Sequence, residues 1–380
     1  MNKQVRRPPL LLIFFFLLAI GLVVFMMFVV QSNAKVIGSP GKNVNFLNNL
    51  RYSFHLWRNQ DALQMPKDFA PLAEKKFVIG YDERAYQVCH RLSIEFQISS
   101  AVCEYMIYKG YDRTLSPGTY TIDSGSTPIQ MVDLISDNRN RDFQFTIFAG
   151  WRMEEIAALI DQLGFEFTGE QFLEQALNPS AELLSKINMP EGIKLENKSL
   201  EGYFMPGFYS MKPSTTLQEF IREPVQATID EIQVVLESFD PAGSPYDIHR
   251  RMIIASIIQR ETLDEAEMPL IASVFYNRLY IGMKLETDPT VQYGLGYDQI
   301  SMSWWKTPLT YSDLESTSGY NTYQISGLPP GPISNPGKEA IYAAFHPAQS
   351  NFLFFRAKCD GSLTHNFAET YEEHLANGCN

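Results

Sequence analysis

The stretch IIASIIQRET, residues 253–262, decides how the second half of the chain is read. It carries almost no polarity until its end. Wound as a helix, it places Ile254, Ile258 and Glu261 at i, i+4 and i+7 on one face, with Ile253 and Ile257 flanking that face and Gln259 and Arg260 turned away. A carboxyl on the apolar side of a helix is desolvated, which raises its pKa. A raised pKa suits a general acid near neutral pH. The bland alternative is a helix-end glutamate that reaches solvent, and spacing alone favours it. Upstream, Ser244-Pro245-Tyr246-Asp247 reads as the helix start, with Ser at N-cap, Pro at N1 and an acid at N3.

The surroundings of Glu261 shift that balance. LETDPTVQYGLG (285–296) reads as an N-cap and N1 pair, Asp288-Pro289, opening a short helix that Gly294 ends. YNTYQISGLPPGPISNPG (320–337) concentrates Tyr, Asn, Thr, Gly and Pro in one loop, the composition of a rigid binding surface. Aromatic rings stack on sugar faces and Asn, Gln and Thr bond hydroxyls, so the inventory suits a carbohydrate cleft. Glu201, in LEGYFMPGFY (200–209), is a rival acid among aromatics. His365 and His374 bracket three glutamates, but their nine-residue spacing matches no standard metal pair, and neither a metal nor a cofactor is expected. No G-x-S-x-G elbow, P-loop or dinucleotide fingerprint is present.

At 380 residues the chain calls for more than one domain. A net charge of −12 argues against nucleic acid as a general partner. Lys3, Arg6 and Arg7 precede an unbroken apolar run of 21 residues, Leu10 to Val30. At about 1.5 Å per residue this spans a bilayer core of roughly 30 Å. A cleaved signal peptide would have a shorter core ending in small residues. The expectation is a single-pass anchor in an inner or plasma membrane, with residues 1–9 as a cytoplasmic tail and the rest outside. That location permits disulfides. Proximity in sequence offers Cys89 with Cys103 and Cys359 with Cys379, and four buried thiols are the alternative.

Residues 31–72 read as a juxtamembrane linker with a short helix around Phe46 to Leu63. A degenerate repeat follows. TIDSGSTPIQMVDLI (121–135) aligns without gaps to TIFAGWRMEEIAALI (146–160), each a short strand, a Gly turn and an amphipathic helix. Phe77-Val-Ile with Arg84 to Leu92 is a fainter third copy. Beyond about residue 165 the pattern is mainly helical, with helices at Phe172–Leu177, Ala181–Ile187, Leu217–Phe239, Pro269–Leu279 and Lys338–His346 and a strand at Phe352–Arg356.

Together LEGYFMP, IIASIIQRET, EMPLIASVFYNRL (267–279), MKLETDPTVQYGLG (283–296), YNTYQISGLPPGPISNPG and HNFAETYEEH (365–374) resemble the endolytic murein transglycosylase (YceG-like) family from about residue 75 to the end. The resemblance implies an α+β chain: a transmembrane helix at 10–30, a small LysM-like module at 73–145 and a larger, mainly helical catalytic domain at 146–380. It implies cleavage of peptidoglycan glycan strands between MurNAc and GlcNAc, within the strand, leaving 1,6-anhydro-MurNAc ends. The catalytic acid falls on Glu261. The lining positions fall on Glu267, Asn277, Arg278, Asp288, Thr290, Tyr293, Tyr320, Asn321 and Tyr323, to which Glu201 and Glu286 are added as substrate-binding candidates. Cell-wall synthases are the implied protein partners. The chain departs from the pattern at Glu286, where Gln is usual, at Phe148-Ala149 before Gly150-Trp151, and at Gly207-Phe208. The competing reading from another class is a non-catalytic peptidoglycan-binding or scaffold protein; a third is a hydrolase of another polysaccharide.

Overall fold

The computed structural model describes residues 10–42, 44–189, 199–238 and 247–379. The expected cytoplasmic tail and the expected helix start at Ser244 lie outside the described residues. The chain divides into two compact units, Met1–Phe143 and Gln144–Asn380.

The first unit opens with α1 (Leu10–Val36), which runs past the apolar stretch and contains a 24-residue segment, Ile13–Val36, apolar and long enough to cross a membrane. Then come α2 (Phe46–Arg58) and α3 (Gln60–Gln64). These segments do more than link. Ile37, Leu56 and Leu63 belong to the same buried cluster as Phe77, Val88, Leu92, Tyr120 and Ile135. Gly41 lies so close to the end of the helix Ala101–Lys109 that a Cβ there would sit 2.6 Å from the Lys109 carbonyl oxygen.

Two strands, β1 (Glu74–Ile79) and β2 (Gly118–Asp123), pair antiparallel from Glu74 opposite Asp123 to Ile79 opposite Gly118. In β1, Phe77 and Ile79 point inward while Val78 between them is exposed, the period-2 pattern of a half-buried strand. Between and after these strands lie α4 (Ala85–Glu95), α5 (Ala101–Lys109) and α6 (Pro128–Ser136). A capping box, Thr127 with Gln130, and Pro128 at the start of the helix fix where α6 begins. Cys89 of α4 and Cys103 of α5 form a disulfide with Cα atoms 5.3 Å apart.

The second unit begins with β3 (Phe143–Ile147) and α7 (Met153–Leu163), the second copy of the repeat. The strand–turn–helix grammar is as the sequence implied, but the copies do not share a sheet. β3 pairs with β4 (Gly207–Met211), far along the chain, whereas β2 pairs with β1. Between them are α8 (Gly169–Leu177) and α9 (Ala181–Ser185). Phe145, Phe165, Phe167, Phe172 and Phe220 form one aromatic cluster behind this sheet.

The remaining helices are α10 (Leu217–Glu237), α11 (Ile248–Glu261), α12 (Met268–Tyr280), α13 (Asp288–Leu295), α14 (Tyr311–Leu314) and α15 (Lys338–Phe345). The chain closes with a hairpin, β5 (Phe354–Ala357) and β6 (His365–Ala368), and α16 (Tyr371–Ala376). A second disulfide joins Cys359 to Cys379.

α11 is the core of this unit. Asp247, expected at N3 of a helix capped by Ser244, is itself the N-cap: its Oδ1 accepts from Arg250 N at 2.8 Å, so the helix begins later than the sequence implied. It packs against α12, α13 and α15. All residues from Arg251 to Ile258 are buried, so the helix has no single apolar face. The spacing of Ile254, Ile258 and Glu261 picks out one stripe of a helix that is covered all round.

Closing a loop of 14 residues, the Cys89–Cys103 bridge stabilises the first unit by about 3 kcal/mol through the unfolded chain. Replacing both cysteines with serine is expected to lower its unfolding midpoint in denaturant by a corresponding amount, measured under oxidising conditions. An unchanged midpoint would show that the bridge adds nothing to this packing.

Candidate active site

α11 delivers Glu261 as its last helical residue, and Thr262 leaves the helix at once in extended conformation. Ile257 and Ile258 just before it are fully buried, while Glu261 itself is half-buried. Burial pushes its carboxyl up to about 8; the negative charge of Asp288 adds to the shift, and Arg278 and Arg260 oppose it. Among the described residues no hydrogen bond occupies this carboxyl. At neutral pH the group is mostly protonated, and its proton is not committed to an internal partner.

Asp288 reaches this site through a start of α13 that differs from the expected one. Thr287, not Asp288, is the N-cap, and the helix runs to Leu295 with Gly296 rather than Gly294 beyond it. The reason lies in a buried knot of hydroxyls. Thr287 N donates to Thr322 Oγ1 at 3.0 Å, and Thr290 Oγ1 contacts Thr322 Oγ1 at 2.8 Å and donates to the Thr287 carbonyl at 2.7 Å. The knot fastens the helix start to the 320–337 loop. Asp288 is then left to accept from Tyr323 Oη at 2.8 Å. Burial and that carboxylate hold the Tyr323 hydroxyl above its usual pKa.

Glu286 takes a left-handed backbone (φ 49°), and its carboxylate stands 3.6 Å from Arg278 Nη1. Arg278 is otherwise fixed by the carbonyls of Leu353 (2.6 Å) and Leu285 (2.8 Å). Glu286, Asp288, Tyr323, Arg278 and Glu261 therefore interact as one charged cluster.

Other expected lining residues have internal partners. Asn277 Nδ2 donates to the carbonyls of Ser350 and Phe352, both at 2.9 Å. Glu267 accepts from His365 N at 2.7 Å and pairs with His365 Nδ1 at 2.8 Å. These bonds lace α12 to the C-terminal hairpin. Asn321 is fully buried and donates to the carbonyls of Leu314 (2.9 Å) and Ser316 (2.8 Å). Among the described residues no group of three or more His, Cys, Asp or Glu is arranged to hold a metal.

Glu201 gathers a second cluster. It is buried and accepts from Met153 N and from Tyr293 Oη, each at 3.3 Å. Tyr293 lies against Tyr320 (centroids 4.6 Å) and under the Arg152 guanidinium (4.1 Å). Burial raises the Glu201 carboxyl to about 8, helped by Glu154 and opposed by Arg152. The turn after it is sterically exacting: Gly202 has φ +85°, and a Cβ there would sit 2.4 Å from Pro332 of the loop.

Sequence reasoning missed Arg152 and Asn335. Arg152 is buried, pairs with Glu154 at 2.7 Å and also faces Trp304 at 4.6 Å. Asn335 is fully buried; its Oδ1 accepts from Phe204 N at 2.9 Å and its Nδ2 donates to the Trp151 carbonyl at 3.0 Å. Asn335 stands in the quoted loop, and its place between two Pro-Gly turns was the available signal. The loop also docks on α11: Ile333 N donates to Ser256 Oγ (3.0 Å) and Gly337 N to Gln259 Oε1 (2.8 Å). Arg260, turned from the apolar stripe, stacks on Trp305 at 3.8 Å.

The YceG-like family model matches residues 77–379, most of the chain and every element of this site. The chain belongs to the YceG-like family. It is 32% identical over 280 residues to the endolytic murein transglycosylase of Bacillus subtilis (strain 168), covering 71% of this chain and 74% of that one. It is 26% identical over 315 residues to the endolytic murein transglycosylase of Streptococcus pneumoniae (strain ATCC BAA-255 / R6), covering 78% of this chain and about half, 54%, of that longer relative. A crystal structure of a yceG-like protein from Listeria monocytogenes superposes with a TM-score of 0.54 at 28% identity, covering 80% of this chain and 98% of that one.

The raised Glu201 pKa has a consequence for stability. The folded chain holds this proton up to about pH 8, whereas an unfolded glutamate releases it near 4.5. Stability contributed by the protonated form is fully present below about 4.5 and is lost as pH rises towards 8. Glu201→Gln, which keeps the shape without the proton, is expected to flatten the fall in melting temperature between those limits. An equal fall in both proteins would show that Glu201 is not the group responsible.

Proposed function

We propose that this chain is a membrane-anchored endolytic peptidoglycan lytic transglycosylase, a carbon–oxygen lyase that cuts the MurNAc–GlcNAc bond within glycan strands and leaves 1,6-anhydro-MurNAc ends. Its substrate is the nascent strand, whose length it limits, and cell-wall synthases are its expected neighbours. The apolar α1 supports the anchor, with the N-terminus cytoplasmic and the catalytic unit outside. The observation that carries the reading is Glu261: a carboxyl at the end of α11, protonated at neutral pH and, among the described residues, without an internal hydrogen bond.

The chemistry follows from one carboxyl acting twice. Protonated Glu261 donates to the glycosidic oxygen as the C1–O bond breaks. The resulting carboxylate takes the proton of the sugar's own C6 hydroxyl, whose oxygen bonds to C1 and closes the anhydro ring. The nucleophile is tethered to the reacting carbon, so proximity supplies much of the rate. A pKa of about 8 favours both halves, since the group holds its proton at the start and reclaims one at the end. Asp288 sits where its charge stabilises an oxocarbenium-like centre, and Tyr323 orients it. Glu286 and Arg278 contribute the polar groups that meet the sugar. The buried threonines, Asn277, Glu267 and Asn321 hold the cleft in shape, and Tyr293 and Tyr320 line it.

Uncrosslinked glycan strands digested by the chain are expected to give internal fragments with 1,6-anhydro-MurNAc ends by mass spectrometry, and Glu261→Gln to slow their formation by at least about 10³-fold. Reducing ends would make water the nucleophile and Asp288 the second carboxyl of a hydrolase. Binding without turnover by the wild type would make the chain a peptidoglycan-binding protein.

The rate should fall on an alkaline limb near pH 8, because the acid must be protonated. Asp288→Asn removes a charge that raises the Glu261 pKa, so the limb should move to lower pH, by less than burial alone accounts for. A limb that stays in place, or moves up, would separate Asp288 from Glu261.

A further inference from the structure

We propose that α2 is a second membrane contact: an interfacial helix seated in the outer headgroup layer of the bilayer that α1 crosses, its arginines on lipid phosphates and its aromatic end at the acyl boundary. This rests on reading α1 as the anchor.

The placement comes from how the two helices pair. α2 runs back along α1. Asn33 of α1, fully buried, donates to the Ser53 carbonyl, and Ser53 Oγ donates to Asn49 Oδ1 at 3.1 Å. Further towards the N-terminus of α1, Phe25 meets Trp57 edge to face with ring centroids 6.0 Å apart. Phe25 stands five residues before Val30, the end of the apolar run. That puts its level roughly 7 to 8 Å inside the outer edge of the hydrocarbon. The C-terminal end of α2 is thus carried just below the headgroups, within the depth to which an interfacial helix buries its apolar residues, and Arg58 at that end reaches phosphate by extending its side chain outward.

The outward face of α2 fits that depth. Leu47, Arg51, Phe54 and Arg58 follow one another at spacings of four, three and four, so they share a face. All four are exposed, Phe54 at 42%. In a chain of net charge −12, this helix has two arginines and a histidine and no acid. His55 faces Glu104 at 3.6 Å, but neither arginine pairs with a carboxylate among the described residues. Basic and aromatic residues on one face, continuous with a membrane span, are the composition of a helix that lies in an anionic interface.

The test uses the full chain in nanodiscs of phosphatidylcholine or phosphatidylglycerol, with lipids brominated either close to the headgroup or near the chain ends. The Trp57 signal is the difference between wild type and Trp57→Phe. Phe16→Trp, at an exposed position of α1, reports the span itself. Trp57 should be quenched by the shallow bromines and spared by the deep ones, while the Phe16→Trp reporter is quenched inside the bilayer. Arg51→Ala with Arg58→Ala should weaken the Trp57 quenching in phosphatidylglycerol and leave it unchanged in phosphatidylcholine. Quenching of the Phe16→Trp reporter without any of Trp57 would put α2 outside the bilayer and overturn the proposal. No quenching of either would overturn the anchor and this contact together. Equal quenching with and without the arginines would remove their role as phosphate ligands.

Discussion

The second unit depends on one constraint: a helix covered on every side must end in an ionisable group. The stretch from Arg251 to Ile258 needs neighbours all round, and α12, α13 and α15 supply them. Ser256, buried in the middle, donates its hydroxyl to the Ile253 carbonyl at 2.7 Å. The 320–337 loop docks on the same residue, Ile333 N donating to the hydroxyl oxygen and Ser334 Oγ to the Ser256 carbonyl, both at 3.0 Å. The same docking brings Tyr320, Tyr323 and Asn335 to their places. The end of a loop whose composition suggests a ligand surface is, at Ile333, Ser334 and Gly337, bonded to the core helix.

The two raised carboxyls share a cause and differ in everything else. Desolvation is the largest contribution for both Glu201 and Glu261. Glu201 is enclosed and accepts from a backbone N–H of α7 and a phenol of α13, so its carboxyl oxygens tie those two helices together. Glu261 retains exposed surface and has no such partner among the described residues. A strongly shifted pKa therefore marks two residues, and only access and hydrogen bonding tell a structural acid from a reactive one.

How much of this was legible follows the range of the interactions. Local ones were readable. The strand–turn–helix grammar at 121–135 and 146–160 appears as β2–α6 and β3–α7, since capping and periodicity act within a few residues. Glu261 could be singled out because it stands just past the apolar run, beyond Gln259 and Arg260, on the stripe of Ile254 and Ile258. Distant interactions were not readable. Asn335 bonds the carbonyl of Trp151, 184 residues away; the flanking Pro-Gly turns mark Asn335 but say nothing of its partner. The start of α13 was displaced by one residue because Thr287 is held by Thr322, 35 residues on, which overrides the local preference for Asp at the cap. Periodicity also failed on α11, where every side is apolar and any stripe can be drawn.

α1 does not end where the apolar run ends. It continues as helix to Val36, and Ile37, Leu56 and Leu63 carry the packing straight into the core of the first unit. If α1 is the proposed span, a span joined this way is a lever rather than a string. A helix tilts when its hydrophobic length and the bilayer thickness disagree, and here a tilt cannot be absorbed by a slack tether. The first unit must turn with it. On the proposed reading of α1 as a span, local membrane thickness becomes a mechanical input to the folded part of the protein.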